Sequence, residues 1–196
     1  MKTRESGMPD EGVWSSFFQP ELVLDALRLR SVSGNIIEFG CGYGTFTIPA
    51  AHRTAGYAYA MDIDAQMVAV VAAKANAARL FNVRTIERDF VNDGTGLPAG
   101  ETAYAMLFNI MHAEESSAML TEALRVLAPG GLLGIMHWNY DTTTPRGPSM
   151  QIRPRPEECR DAAVAAGFRI LPPGIIDLPP YHYGMVLTKP PAAKDP

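Results

Sequence analysis

The sequence predicts an α/β fold built on a mostly parallel sheet with helices on both faces. Three features predict it. Strand-like and helix-like segments alternate along the chain, the pattern that a parallel sheet with crossover helices requires. The first long apolar strand runs straight into three glycines spaced at every second residue, Gly40, Gly42 and Gly44. Near the C-terminus Asp177 and His182 are separated only by Leu178-Pro179-Pro180-Tyr181, too short for a crossover helix, so the last strand should run antiparallel to its neighbour.

Each element has its own local signal. Pro20 to Arg30 is a helix with proline in its first turn and Leu22, Val23, Ala26 and Leu27 on one face. Asn35 to Phe39 is a strand. Thr45 to about Arg53 is a helix, and Pro49 is tolerable because it sits near the first turn. Gly56 to Met61 is a strand, and Asp64 caps a helix from Ala65 to about Leu80. Val83 to Arg88 and Tyr104 to Asn109 are strands. Glu114 to Leu127 is a helix with acids in its first turn and Arg125 in its last. Pro129-Gly130-Gly131 is a turn, and Leu132 to His137 is a continuous apolar strand. Pro156 to Ala166 is a helix closed by Gly167. Gly174 to Leu178 and Gly184 to Thr188 complete the set as strands. Eleven of the 16 prolines lie from Pro145 onward, so the last quarter should consist of short elements joined by stiff loops.

Composition bounds the function. The chain has 196 residues, of which 47% are hydrophobic and 19% charged; this suits one domain with a full core. A net charge of -4 disfavours a dedicated nucleic-acid binder. Cys41 and Cys159 match no metal or disulfide spacing, which fits reduced thiols in a cytoplasmic protein. Met1 to Gly12 has no apolar core of a signal peptide, and no apolar run is long enough to span a bilayer. The expected partners are a small-molecule substrate, with no nucleic acid and no membrane, for a monomer or homodimer. No metal site is expected.

The segment Glu38-Phe39-Gly40-Cys41-Gly42-Tyr43-Gly44 carries the most information. Glycine permits the dihedrals of a tight turn and lets a ligand touch the backbone, and the helix that follows offers N–H groups to an anion. A dinucleotide fingerprint needs two residues before its third glycine, whereas only Tyr43 stands between Gly42 and Gly44. Glu38 is awkward for a pyrophosphate and suits an ammonium group. This segment resembles motif I of the class I S-adenosylmethionine-dependent methyltransferases, and the likeness extends from about Phe17 to Lys189. The resemblance implies a single Rossmann-like domain, residues 20–189, with a seven-stranded sheet whose last strand is antiparallel. It implies S-adenosylmethionine as cofactor and S-adenosylhomocysteine as product, with Glu38, Gly40, Cys41, Gly42 and Gly44 cradling the methionyl end. Asp62, with Ile63 beside it, matches the acid that holds the ribose hydroxyls, while Asp64 is read as a helix cap. Asp89 and Phe90 match the adenine contacts, with a loop-capping role for Asp89 as the alternative. Asn109 stands at the end of strand four, where many relatives carry an acid.

Substrate should lie beyond the carboxyl ends of strands four and five. His112 and His137 are the candidate bases there, or else hydrogen-bonded structural residues. Trp14 and Phe17, in residues 1–19, either cover the site as a lid or pack as a hydrophobic staple. Tyr140 is a further candidate. The stretch Thr144 to Pro156 carries three arginines and no acid, so Arg146 and Arg153 are candidates to hold a carboxylate or phosphate, with Arg155 expected to face solvent. Leu178-Pro179-Pro180-Tyr181 echoes the Asn/Asp-Pro-Pro-Tyr motif of amino-group methyltransferases, but it lacks the polar first residue and lies near the C-terminus. Residues 190–196 are expected to be a disordered tail. The rival functions are a nicotinamide-dependent oxidoreductase, a non-catalytic cofactor-binding module of the same fold, and a macromolecular methyltransferase.

Overall fold

The computed structural model describes residues 8–191, so the ends of the expected N-terminal segment (1–7) and of the expected tail (192–196) lie outside the described residues. Seven strands form one sheet: β1 (Asn35–Phe39), β2 (Ala58–Asp62), β3 (Val83–Glu87), β4 (Thr102–Phe108), β5 (Leu127–Trp138), β6 (Arg169–Leu178) and β7 (His182–Thr188). Their order is β3-β2-β1-β4-β5-β7-β6. The pairs among β1 to β5 are parallel, and β7 runs antiparallel to both β5 and β6. The short Pro179-Pro180 connection leaves β6 and β7 this one option, as expected.

Six helices accompany the sheet among the described residues: α1 (Glu11–Ser15), α2 (Pro20–Ala26), α3 (Thr47–Ala51), α4 (Ala65–Ala77), α5 (Ser116–Val126) and α6 (Pro156–Ala165). The period-2 alternation of the strands divides the core. Tyr104, Met106 and Phe108 of β4 face α2 and α3, packing with Leu24, Leu27, Phe46 and Ala50. Ala105 and Leu107 face the other way, onto Met119, Leu120, Ala123, Cys159 and Ala163 of α5 and α6. No helix among the described residues is long and apolar enough to cross a membrane.

Several boundaries differ from the sequence reading. The helix expected to reach Arg30 ends at Ala26, because Arg28 adopts a left-handed φ of 64° and the Leu29 N–H bonds back to the Leu24 carbonyl at 2.8 Å. That turn brings Leu27 and Leu29 both into the core, which a continued helix could not do. The helix after the glycine loop is only five residues long and starts at Thr47. The Pro129-Gly130-Gly131 turn is absorbed into β5 as a shift in register against β4. A short helix, α1, was not foreseen; Asp10 caps it by accepting the Val13 N–H. Asp64 caps α4 through the Gln66 N–H, as expected.

The tightest approach in the sheet is at Gly134. A Cβ there would lie 2.2 Å from the Tyr104 hydroxyl, which is fully buried and donates to the Leu27 carbonyl at 2.7 Å. The tyrosine thereby ties α2 to the sheet centre and cannot swing aside. Gly134→Ala should therefore cost about 1–3 kcal/mol of stability in urea unfolding, the range for overpacking in a rigid core. Combining it with Tyr104→Phe, which removes the clashing oxygen, should recover part of that loss. Strict additivity of the two would show that the hydroxyl is not what blocks the site.

Candidate active site

The strand ends of a parallel sheet converge where two crossover connections leave in opposite directions, here between β1 and β4. A cavity of about 490 Å³ opens at that point. The β1–α3 loop, the ends of β2, β3, β4 and β5, the N-terminal segment and the β5–α6 loop all contribute to its wall.

The β1 end supplies the loop and a carboxyl. Gly42 and Gly44 adopt φ of 49° and 74°, conformations that a side chain would strain. The Cys41 N–H continues the sheet by bonding the Met61 carbonyl at 2.8 Å. The Gly42 N–H instead meets a side chain, the Asp62 carboxylate, at 2.8 Å. The other Asp62 oxygen accepts the Asp64 N–H at 3.0 Å. Asp62 thus pins the loop before any ligand is considered, and its carboxyl still lines the cavity. Burial raises its affinity for protons, partly offset by those two N–H groups. Gly40, Cys41 and Gly42 line the cavity, but Gly44 does not: a Cβ there would press on Val71 of α4 at 3.0 Å. Its part is helix packing, which corrects the expectation that it cradles a ligand.

Glu38 is buried with its carboxyl at the cavity wall, accepting the Thr47 hydroxyl. Burial pushes its pKa up to about 8, and the nearby Asp62 adds to the rise against the Thr47 hydrogen bond. A five-residue helix behind the loop is a poor anion site, and a buried carboxyl at its mouth opposes one further. Cys41 is held as an inert thiol, its pKa raised by burial and by both neighbouring acids.

At the β2 and β3 ends Ile63, Asp89 and Phe90 reach the cavity. Asp89 also caps its own loop, accepting the Asn92 backbone N–H at 3.1 Å and the Asn92 amide at 2.9 Å. Phe90 packs edge-on against Phe39 at 5.2 Å. The end of β4 is the most unusual point. Asn109 takes a left-handed φ of 57° while its N–H bonds the Met136 carbonyl at 2.8 Å. Its side chain is 8% exposed and lines the cavity, and neither amide atom has a hydrogen-bond partner among the described residues. A buried amide without a partner is costly, so a ligand or water that completed its bonding would be favoured there.

His112 lines the cavity, whereas His137 is fully buried and lies behind it. The His112 Nδ1 and His137 Nε2 are 3.2 Å apart. His137 therefore cannot be a base acting on substrate, contrary to expectation; burial and the adjacent His112 keep it neutral.

The substrate-side expectations divide in the same way. Trp14 lines the cavity, and Met8 of the same segment does too. Phe17 instead packs on Trp138 and Tyr181 at 5.4 and 6.2 Å, a staple that does not reach the cavity. Segment and loop are joined where the Tyr43 hydroxyl donates to the Pro9 carbonyl at 3.0 Å and where Lys74 binds both the Tyr43 carbonyl and Glu11. Tyr140 lies under the Arg155 guanidinium at 3.9 Å, outside the cavity, and Arg155 is exposed as expected. Arg153 is buried and donates to the carbonyls of Asn139, Asp141, Arg146 and Pro148 and to the Thr144 hydroxyl. With its donors spent on the loop it is a staple, not a substrate ligand. Arg146, held on that stapled loop, lines the cavity.

Phe108, Trp138, Met119 and Ile152 also line the cavity and add apolar surface to its wall. Phe108 was recoverable from the β4 alternation, since it shares parity with Tyr104 and Met106. Met8, Met119 and Ile152 carry no local signal.

Residues 36–131 match a family model described as a methyltransferase domain. No curated protein matches the chain. Among solved structures, the chain is similar to a SAM dependent methyltransferase from Aquifex aeolicus, with a TM-score of 0.80 and 22% identity over 92% of this chain and 94% of the other. It is similar to the [4+2]-cyclase SpnF, with a TM-score of 0.76 and 17% identity over 96% and 85% of the two chains. It is also similar to geranyl diphosphate C-methyltransferase from Streptomyces coelicolor A3(2), at 0.72 and 15% over 93% and 84%. These structures share the fold, and the domain match spans the glycine loop and the ends of β1 to β4 described above. The methyltransferase-domain match and the fold shared with SAM-dependent methyltransferases are consistent with the class I S-adenosylmethionine-dependent methyltransferase family.

Proposed function

We propose that the chain binds S-adenosylmethionine and methylates a small, mainly apolar acceptor that carries an anionic group. One observation carries this reading: a single cavity is lined both by polar groups, Glu38, Asp62 and the unsatisfied Asn109 amide, and by the aromatic rings of Trp14, Phe108 and Trp138, with Arg146 on its loop. The polar groups fit the cofactor. Gly40 and Gly42 leave room that a Cβ would fill, since one would meet Ile110 at 3.1 Å and the other Met8 at 2.9 Å. Glu38 and Asn109 would face the cofactor's amino-acid group, and Asp62 keeps lone pairs for ribose hydroxyls beyond its two N–H bonds. Asp89 and Phe90 would border the adenine. When bound, the cofactor supplies an electrophilic methyl group on a sulfonium, whose bonding pair returns to sulfur. The chain's own part is to align the acceptor and keep water out, which the apolar lining serves.

The acceptor class rests on the loop. Arg146, carried on the β5–α6 loop at the cavity wall, is the candidate anion partner, because a guanidinium fork suits a carboxylate or phosphate. The Streptomyces neighbour was solved with geranyl diphosphate, a molecule of that build.

A second reading has its own support, because a cyclase shares this fold. Binding and transfer must therefore be measured separately. Calorimetry should show micromolar binding of S-adenosylmethionine and S-adenosylhomocysteine and far weaker binding of NAD; clear NAD binding with no response to the other two would overturn the proposal. Transfer of labelled methyl to a panel of apolar acids and phosphate esters then separates a methyltransferase from a binding module.

The Glu38 carboxyl gives a pH test. In the free protein it is neutral below about 8, and an ammonium ligand favours its ionised form. S-Adenosylhomocysteine binding at pH 7 should thus release a proton, seen as a buffer-dependent heat, and affinity should rise between pH 6 and 7.5 by at most about tenfold per unit. Glu38→Gln should abolish both effects. A carboxyl with a raised folded-state pKa contributes its full stability below the unfolded value and loses it as pH rises toward 8, so Glu38→Gln should stabilise the free protein more at pH 8 than at pH 5. Unchanged proton release in this variant would remove Glu38 from the ligand site.

The two loop arginines should behave differently. Arg146→Ala should raise the KM for an anionic acceptor about tenfold or more and leave S-adenosylhomocysteine affinity within twofold. Arg153→Met should instead lower thermal stability, since it strands several carbonyls. A normal KM in Arg146→Ala, or methylation of neutral acceptors only, would dismiss the anionic class.

A further inference from the structure

The His112–His137 contact has a direction that follows from the chemistry of its three partners. His137 Nδ1 lies 3.4 Å from the Trp138 carbonyl oxygen, and His137 Nε2 lies 3.2 Å from His112 Nδ1. A carbonyl oxygen can only accept, so His137 Nδ1 carries the hydrogen. A neutral imidazole has one N–H, so His137 Nε2 holds the lone pair, and His112 Nδ1 must be the donor to it. In the neutral His112 ring the remaining nitrogen, Nε2, is then the basic one.

We propose that His137 is a positioning residue: by accepting from His112 Nδ1 it fixes the tautomer in which His112 Nε2 is the general base at the cavity. The inference rests on the methyltransferase reading for its use, and it narrows the acceptor to a group that gives up a proton, a hydroxyl or an N–H, in addition to the anionic group held near Arg146. The acceptor's proton goes to His112 Nε2 as its lone pair takes the methyl group, and the carbon–sulfur bonding pair stays on sulfur. The resulting imidazolium keeps its Nδ1–H on His137, a charge-assisted bond that orients the ring through the step.

The surroundings of His137 suit an acceptor that never takes the proton itself. Burial dominates; beyond it, the ring faces His112, His182 and Arg153, each of which opposes a positive charge there, and the ring of Tyr183 at 6.2 Å. Two imidazoliums side by side in a dry site would repel strongly. His137 is therefore a fixed lone pair, and the proton stops at His112. Position in the fold enforces this. His137 is in β5, paired to Tyr183 of β7, and its neighbour Trp138 is locked between Phe17 and His182, so the carbonyl that sets the tautomer cannot turn away.

The test reads the tautomers directly and needs no turnover. Imidazole nitrogen shifts from long-range proton–nitrogen spectra of the ¹⁵N-labelled protein at pH 7.5 should show both His112 and His137 protonated at Nδ1. His137→Leu should return His112 to the Nε2–H form favoured by free imidazole. With an acceptor in hand, it should also lower kcat by about 100-fold, the range for a general base, while KM and S-adenosylhomocysteine affinity stay within about twofold. His137→Gln, whose amide oxygen can stand where Nε2 stood, should restore the His112 tautomer and much of kcat. Finding His112 protonated at Nε2 in the wild type, or unchanged by His137→Leu, overturns the proposal; if His137→Leu fails to fold, the wild-type and glutamine spectra still decide it. Failure of S-adenosylhomocysteine to bind would overturn the functional reading instead and leave the tautomer result standing.

Discussion

Asp62 spans the gap between two strands that both end at the cavity. One carboxylate oxygen holds the Gly42 N–H of the loop after β1, and the other holds the Asp64 N–H that begins the turn into α4. The rest of the site is registered on this bridge. It sets the loop's left-handed turns, it brings Gly44 hard against Val71, and it keeps Cys41 and Gly42 facing the cavity. A carboxylate can do this because each oxygen accepts more than one hydrogen bond, so the group that organises the loop retains capacity for a ligand. Asp62 is thus structural as well as a ligand candidate, and removing it would disturb the loop in the free protein too.

The electrostatics of the cavity follow from that arrangement. Burial raises the proton affinity of Glu38, and the nearby Asp62 raises it further. A site built this way is poised for a cation, and a positively charged ligand would discharge an unfavourable state of the free protein. The same cavity is also lined by apolar side chains and by Arg146, on a loop whose shape is dictated by Arg153. Groups of both charges thus line one cavity, the acids suiting a cationic cofactor and Arg146 an anionic acceptor. Alignment of two reactants in a dry cavity is what methyl transfer chiefly demands of a protein.

Around the cavity, the strand-end residues divide in function by depth. Asn109 and His112 reach the cavity, and His137 and His182 do not. His182 lies between Phe18 and Trp138 with its pKa lowered by burial to about 3, so it is a neutral part of the aromatic core. The aromatic cluster gives the strand ends a rigid backing, which is why single hydrogen bonds there can fix a ring's tautomer.

Much of this was legible in the chain itself. The strands fell close to their observed places because their signals are local: apolar runs, period-2 alternation, proline and glycine boundaries. The antiparallel β6–β7 pair followed from a four-residue connection alone. The glycine loop with Glu38 before it, Asp62 and Asp89 were readable because each stands at a strand end, and strand ends are where such a sheet gathers its ligands. Local sequence did not decide what a side chain would find when the chain closed on itself. Arg146 and Arg153 look alike in one loop, yet one reaches the cavity and the other is consumed by the carbonyls around it. Gly44 and Gly42 share a motif, but only the three-dimensional approach of Val71 assigns one of them to packing. His112 and His137 are both strand-end histidines, and burial on β5 separates them. Residue type fixes which bonds a group is able to make; only the tertiary structure fixes which partners lie within three ångströms, because those partners come from segments tens of residues away.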